Sequence, residues 1–245
     1  MYCLAAGVPL TEEHLIPRAL GGRRTLREAV CEPCRRITGQ REQVTLDREF
    51  LVPRTLLALK RLKARGKSPG RLPAVVLAGD DTARTLTAAH FPRGFSLPVF
   101  EPAGRLAGID RGIAAPRIGH VRCTLGRDNG AWARPEAPAD PGAYAWSIAK
   151  WAYALAVAEH GLDGDGLQAL RDLMLGQRGD VFNVLGSPAS REPVTTEALH
   201  AASRQETGGI ATLRLALFAR AGMASYELVL ADTPRGTGAM GVGTP

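Results

Sequence analysis

The sequence predicts an α+β fold in two unequal parts: a short segment rich in cysteine and arginine, then a larger α+β domain with antiparallel strands and a buried helix. Three observations carry that expectation. Cys3, Cys31 and Cys34 place three of the chain's four cysteines within its first 34 residues. Residues 143–160 form a near-continuous run of Ala, Trp, Tyr, Leu and Val, which is the composition of a helix buried on most sides. Strict alternation returns at Leu213-Arg214-Leu215-Ala216-Leu217-Phe218 and again at Tyr226-Glu227-Leu228-Val229-Leu230, the pattern of an antiparallel strand pair.

Taken in order, residues 1–50 form the cysteine-bearing module, with a turn expected at Gly21-Gly22. Residues 51–71 follow as a basic amphipathic helix and linker. Leu56, Leu57, Leu59 and Leu62 lie near one face of that helix, and Gly66-Lys67-Ser68-Pro69-Gly70 ends it. Residues 72–235 make the second domain. Strands are expected at Leu72 to Leu77, Thr85 to Ala89 and Phe95 to Phe100, and a Pro-, Ala- and Gly-rich loop from Asp128 to Gly142. After the 143–160 helix, in which Trp146, Trp151 and Tyr153 read as core, a second helix is expected from Gly166 to Leu175. Residues 236–245 read as a flexible tail.

Charge is divided as unevenly as the cysteines. Residues 1–71 hold fifteen Lys/Arg against seven Asp/Glu, a net +8, while the remaining 174 residues hold sixteen against seventeen, a net −1. A local cationic field of this kind attracts phosphate backbones without reading sequence. No uncharged run of about eighteen apolar residues is present, so a membrane span is not expected. The opening residues lack the pattern of a secretory signal, and four cysteines in so long a chain do not make a disulfide scaffold. A cytoplasmic protein is the expectation.

Cys31-Glu32-Pro33-Cys34 has the spacing that lets two thiolates grip one tetrahedral metal from a tight turn, which is half of a zinc site. Cys3 supplies a third ligand. A matching C-x-x-C would place its first cysteine one position before Met1, so an upstream start is an expectation of this reading. The bland alternatives for Cys31 and Cys34 are a pair of small buried residues or a redox couple. Cys123 stands alone and reads as buried filler, and His90, His120, His160 and His200 show no ligand spacing.

Between the cysteines lies Thr11-Glu12-Glu13-His14-Leu15-Ile16-Pro17-Arg18-Ala19-Leu20-Gly21-Gly22. An acidic residue, then His, two apolar residues and Pro, set between a leading cysteine and a C-x-x-C, resembles the HNH endonuclease family. The likeness is to the bacterial branch that reads C-x-x-C, E-H-I-I-P, G-G and C-x-x-C-N, and it covers about the first 45 residues. It implies a ββα-metal module stapled by structural Zn²⁺. By the same resemblance His14 is the general base that deprotonates the attacking water, and Glu13 is the acidic ligand of a catalytic Mg²⁺ or similar divalent ion. Imidazole and carboxylate suit those tasks. Where the family has Asn after its second C-x-x-C this chain has Arg35, and the family's last position falls at Glu42, which would share the ion if Cys34 leads into a helix.

The favoured expectation is therefore a metal-dependent endonuclease acting on DNA, with RNA also open. Arg18, Arg23, Arg24, Arg35, Arg36 and Arg41 are candidate phosphate contacts, and Arg27 lies among them. Two alternatives remain: a degenerate module that binds nucleic acid through zinc and arginines without cleaving it, and a structural zinc module that docks another protein.

Overall fold

An antiparallel hairpin opens the chain. Strand β1 (Leu10–His14) pairs with β2 (Thr25–Cys31) in the register Leu10 to Cys31 and His14 to Thr25. The structure is a computed structural model. It describes residues 1–50, 53–54, 57, 75–77, 83–87, 90, 93–124, 132–135, 140–162, 167–188, 198–219 and 224–232. The hairpin loop contains a short 3-10 turn (Arg18–Leu20), closed by Gly21 in the left-handed region. The Gly21-Gly22 turn expected from sequence is thus present, and Gly22 is required there, because a Cβ on it would sit 1.9 Å from the Ile16 carbonyl oxygen.

The pairing is interrupted between Thr11 and Glu13, where Arg27, Glu28 and Ala29 of β2 oppose Glu12 alone. This is a β-bulge. Glu28 takes φ +50°, a conformation that side-chain-bearing residues rarely adopt. Helix α1 (Glu32–Arg48) follows β2 without a linker. Its first turn holds Pro33, whose missing N–H costs nothing there, and Glu32, which suits the helix dipole.

Beyond residue 74 the described strands form two sheets. One has the order β4-β3-β7-β5-β6, built from β3 (Val75–Leu77), β4 (Ala83–Arg84), β5 (Gly94–Phe100), β6 (Ile118–Thr124) and β7 (Trp132–Pro135). All its pairs are antiparallel except β5 with β7. The other is wholly antiparallel in the order β8-β11-β10-β9, from β8 (Leu185–Gly186), β9 (Ala201–Thr207), β10 (Ile210–Ala216) and β11 (Ser225–Asp232). The pair expected from alternation is β10 and β11.

Two expectations need correction. The 128–142 loop contains β7, which is held from both sides by β3 and β5, so pairing across the sheet overrides a Pro- and Ala-rich composition. The strand expected at 85–89 lies earlier, at β4, and Thr87 instead turns the chain, its Oγ1 lying 2.7 Å from His90 Nδ1. The expected helix and linker at 51–71 fall mostly outside the described residues, and the tail falls wholly outside them.

Short helix α2 (Gly104–Ala107) precedes β6. The axis of the molecule is helix α3 (Pro141–His160), which starts on Asp140, whose carboxylate accepts from Ala143 N at 3.0 Å. All fourteen residues from Tyr144 to Val157 are buried. Helices α4 (Leu167–Met174) and α5 (Val181–Val184) follow. Phe50, Tyr144, Trp151 and Phe218 meet in one aromatic group with ring centroids 5.4–6.3 Å apart. Phe50 from the N-terminal segment and Phe218 from beyond β10 therefore share one core with α3. No helix among the described residues is long and apolar enough to cross a membrane.

Candidate metal centre

Cysteines separated by twenty-eight residues come together because the hairpin returns β2 beside the first residues of the chain. Cys31 ends β2, Cys34 sits in the first turn of α1, and Cys3 closes on them from the leading segment. The three Sγ atoms all lie within 4.8 Å of one another, and Cys3 and Cys31 are 3.5 Å apart. A tetrahedral zinc with Zn–S of about 2.3 Å sets its sulfurs about 3.8 Å apart, so the cluster could hold a metal such as zinc. Cys31 and Cys34 are buried and Cys3 is exposed. Burial, with the neighbouring thiols, pushes Cys34 up to about 12, while the backbone at Ala5 holds Cys3 below the ordinary thiol value. A metal would replace those protons, and uptake would release them. Cys123 is buried on β6, apart from the cluster.

The other residues expected to form the site are divided by strand geometry. Side chains alternate along β1, so Glu13 points into the core while His14 is partly exposed. No acidic partner of His14 exists among the described residues. Helix α1 carries Cys34, Thr38, Glu42, Thr45 and Leu46 along its inner face, with a polar seam against α3: Ser147 donates to Thr45 Oγ1 at 2.9 Å and Thr45 to the Ala143 carbonyl at 3.2 Å.

That inner face sets Glu42 near Glu13, and a side chain the sequence reading overlooked joins them. Lys150 of α3 places its Nζ 2.7 Å from Glu13 Oε1 and 2.8 Å from Glu42 Oε1. Its side chain is 4% exposed, against 8% for Glu13 and 16% for Glu42. Tyr2 donates to the same Glu13 oxygen at 3.1 Å, and Trp151 Nε1 to the same Glu42 oxygen at 2.5 Å. Burial acts to lower Lys150, but Glu42 and Glu13 outweigh it and hold the ammonium above the ordinary lysine value. The signal was present in the sequence: a lone lysine inside an otherwise apolar helix must find carboxylates.

All six candidate arginines are exposed. Arg35 folds back onto Glu32 at 2.7 Å, and Arg41 lies over the Trp146 ring at 5.4 Å. Arg18, Arg23, Arg24 and Arg36 have no ion-pair partner among the described residues. Arg23 and Arg24 line an open cleft of about 470 Å³ with Leu15, Gly22, Leu155 and His200. His200 is structural, as expected: Nε2 donates to the Leu20 carbonyl at 2.8 Å and Nδ1 accepts from Phe218 N at 3.2 Å. No protein-family model, no curated protein and no solved structure matches this chain.

Proposed function

We propose that this chain binds nucleic acid through an HNH-like, zinc-stapled N-terminal module. The observation that carries the reading is the cysteine trio at the joint of a β-β-α unit whose surrounding arginines are all exposed. A hairpin followed by a helix, with Cys3, Cys31 and Cys34 gathered where they meet, supports the reading. A structural zinc held by Cys3, Cys31 and Cys34 would fix β2, α1 and the leading segment as one frame. Exposed guanidiniums on that frame suit phosphate oxygens, which Arg engages with two parallel hydrogen bonds. DNA is the first partner to test and RNA the second.

Cleavage of phosphodiester bonds is the second reading, and one observation favours it: His14 is partly exposed at the end of β1, open to solvent and to a substrate. In that reading His14 is the base, with Glu13 and Glu42 serving a Mg²⁺ ion. Binding ranks ahead because both carboxylates are held by Lys150, and Glu13 lies on the opposite face of β1 from His14.

The test measures affinity of the zinc-loaded protein for a labelled duplex across ionic strength. Each phosphate neutralised should contribute a slope of about −0.9 in log K against log salt, and Arg23→Ala with Arg24→Ala should reduce the slope magnitude by about 2. Affinity indifferent to salt would refute nucleic-acid binding and favour a module that docks another protein. Plasmid nicking with Mg²⁺ or Mn²⁺, present in the wild type and abolished in His14→Ala, would raise cleavage above binding alone.

A further inference from the structure

We propose that Lys150 is the resident cation of this module: its ammonium takes the place between Glu13 and Glu42 that the HNH resemblance gives to a second metal ion. The inference rests on the HNH-like reading for the identity of that place. The geometry that fills the place stands by itself.

The two carboxylates come from β1 and α1, and the cation that joins them comes from α3, more than a hundred residues later in the chain than either. Each Oε1 already accepts two hydrogen bonds: Glu13 from Lys150 and Tyr2, Glu42 from Lys150 and Trp151. Mg²⁺ requires near-octahedral oxygens at about 2.0–2.1 Å and keeps several waters. To bind here it would have to evict an ammonium that is 4% exposed, leaving that charge buried and unpaired. Lysine delivers one positive charge to two negative ones, and the Tyr2 hydroxyl and Trp151 indole N–H offset part of the remainder. The cation is covalently part of the chain, so the site neither loads nor loses it. Any nucleic-acid affinity of the module is then independent of Mg²⁺ beyond ordinary screening.

The test titrates Mn²⁺ into the full-length zinc-loaded protein and reads free Mn²⁺ by electron paramagnetic resonance. The wild type and Glu42→Gln should give the same binding curve. Lys150→Ala should gain one site at least about tenfold tighter than any in the wild type, and Lys150→Ala with Glu42→Gln should lose it. A wild-type Mn²⁺ site removed by Glu42→Gln would overturn the proposal, as would a folded Lys150→Ala variant, checked by circular dichroism and zinc content, that gains none. If Lys150→Ala does not fold, the wild type against Glu42→Gln decides alone. Nucleic acid is absent from the titration, so failure of the binding reading and failure of this one are separate results.

Discussion

Lys150 shows how much a single side chain can carry. Removing its charge while keeping its length, as in Lys150→Met, leaves Glu13 and Glu42 buried without a counter-charge. The expected loss is about 3 kcal/mol in urea-induced unfolding, as for other broken buried pairs. A loss under about 0.5 kcal/mol, the range of a surface substitution, would show that the three groups are solvated. The cysteines make a sharper contrast. Cys31→Ser should abolish stoichiometric zinc, measured by elemental analysis, whereas Cys123→Ser should leave it unchanged, since Cys123 lies apart on β6. At this scale the sequence was informative where chemistry depends on spacing. Cys3, Cys31 and Cys34 were legible because few arrangements besides a metal site bring thiols to such intervals. The directions of Glu13 and His14 were less legible, because they depend on the β1 alternation and on the bulge at Glu28.

Elements were legible in proportion to how far local pattern decides them. Helix α3 is nearly uniform in apolar character and was found within two residues of its start. Strand β7 was missed because its pairing with β3 and β5 comes from distant segments that no window of sequence contains. Helix α1 hides its buried face, since Thr38, Glu42 and Thr45 pack inward through hydrogen bonds. The loop between β1 and β2 is tied to the C-terminal sheet by His200, which fixes an expectation about pH. Burial lowers the His200 imidazole below its ordinary value, with the Leu20 carbonyl opposing. Folding therefore favours the neutral ring, whose Nδ1 must accept from Phe218 N. That stability is complete above about pH 6.5 and is lost as pH falls below it toward the lowered folded value. From about pH 7.5 to about 5.5 the wild type should lose more stability than His200→Gln, by chemical denaturation. Equal losses would assign the acid sensitivity elsewhere. Gly22→Ala, which drives a Cβ into the Ile16 carbonyl, should lower thermal stability by several degrees, and an unchanged melting temperature would show that the loop adjusts.

The whole molecule couples a cationic first third to a nearly neutral remainder through one helix. Residues 1–71 carry a net +8, yet buried apolar residues of the described part of that segment, from Tyr2 to Phe50, belong to the same core as α3 and the C-terminal sheet. Composition revealed the division of charge, and it could not reveal the shared core, which depends on Phe50, Trp151 and Phe218 meeting across the fold. The central claim is that Cys3, Cys31 and Cys34 hold one zinc ion and thereby frame the basic module. Zinc K-edge X-ray absorption on the purified protein tests it most directly. The expected result is one zinc per chain with at least three sulfur neighbours at about 2.3 Å, one of them lost in Cys3→Ser. A zinc shell of nitrogen and oxygen alone, or a spectrum untouched by Cys3→Ser, would contradict the account.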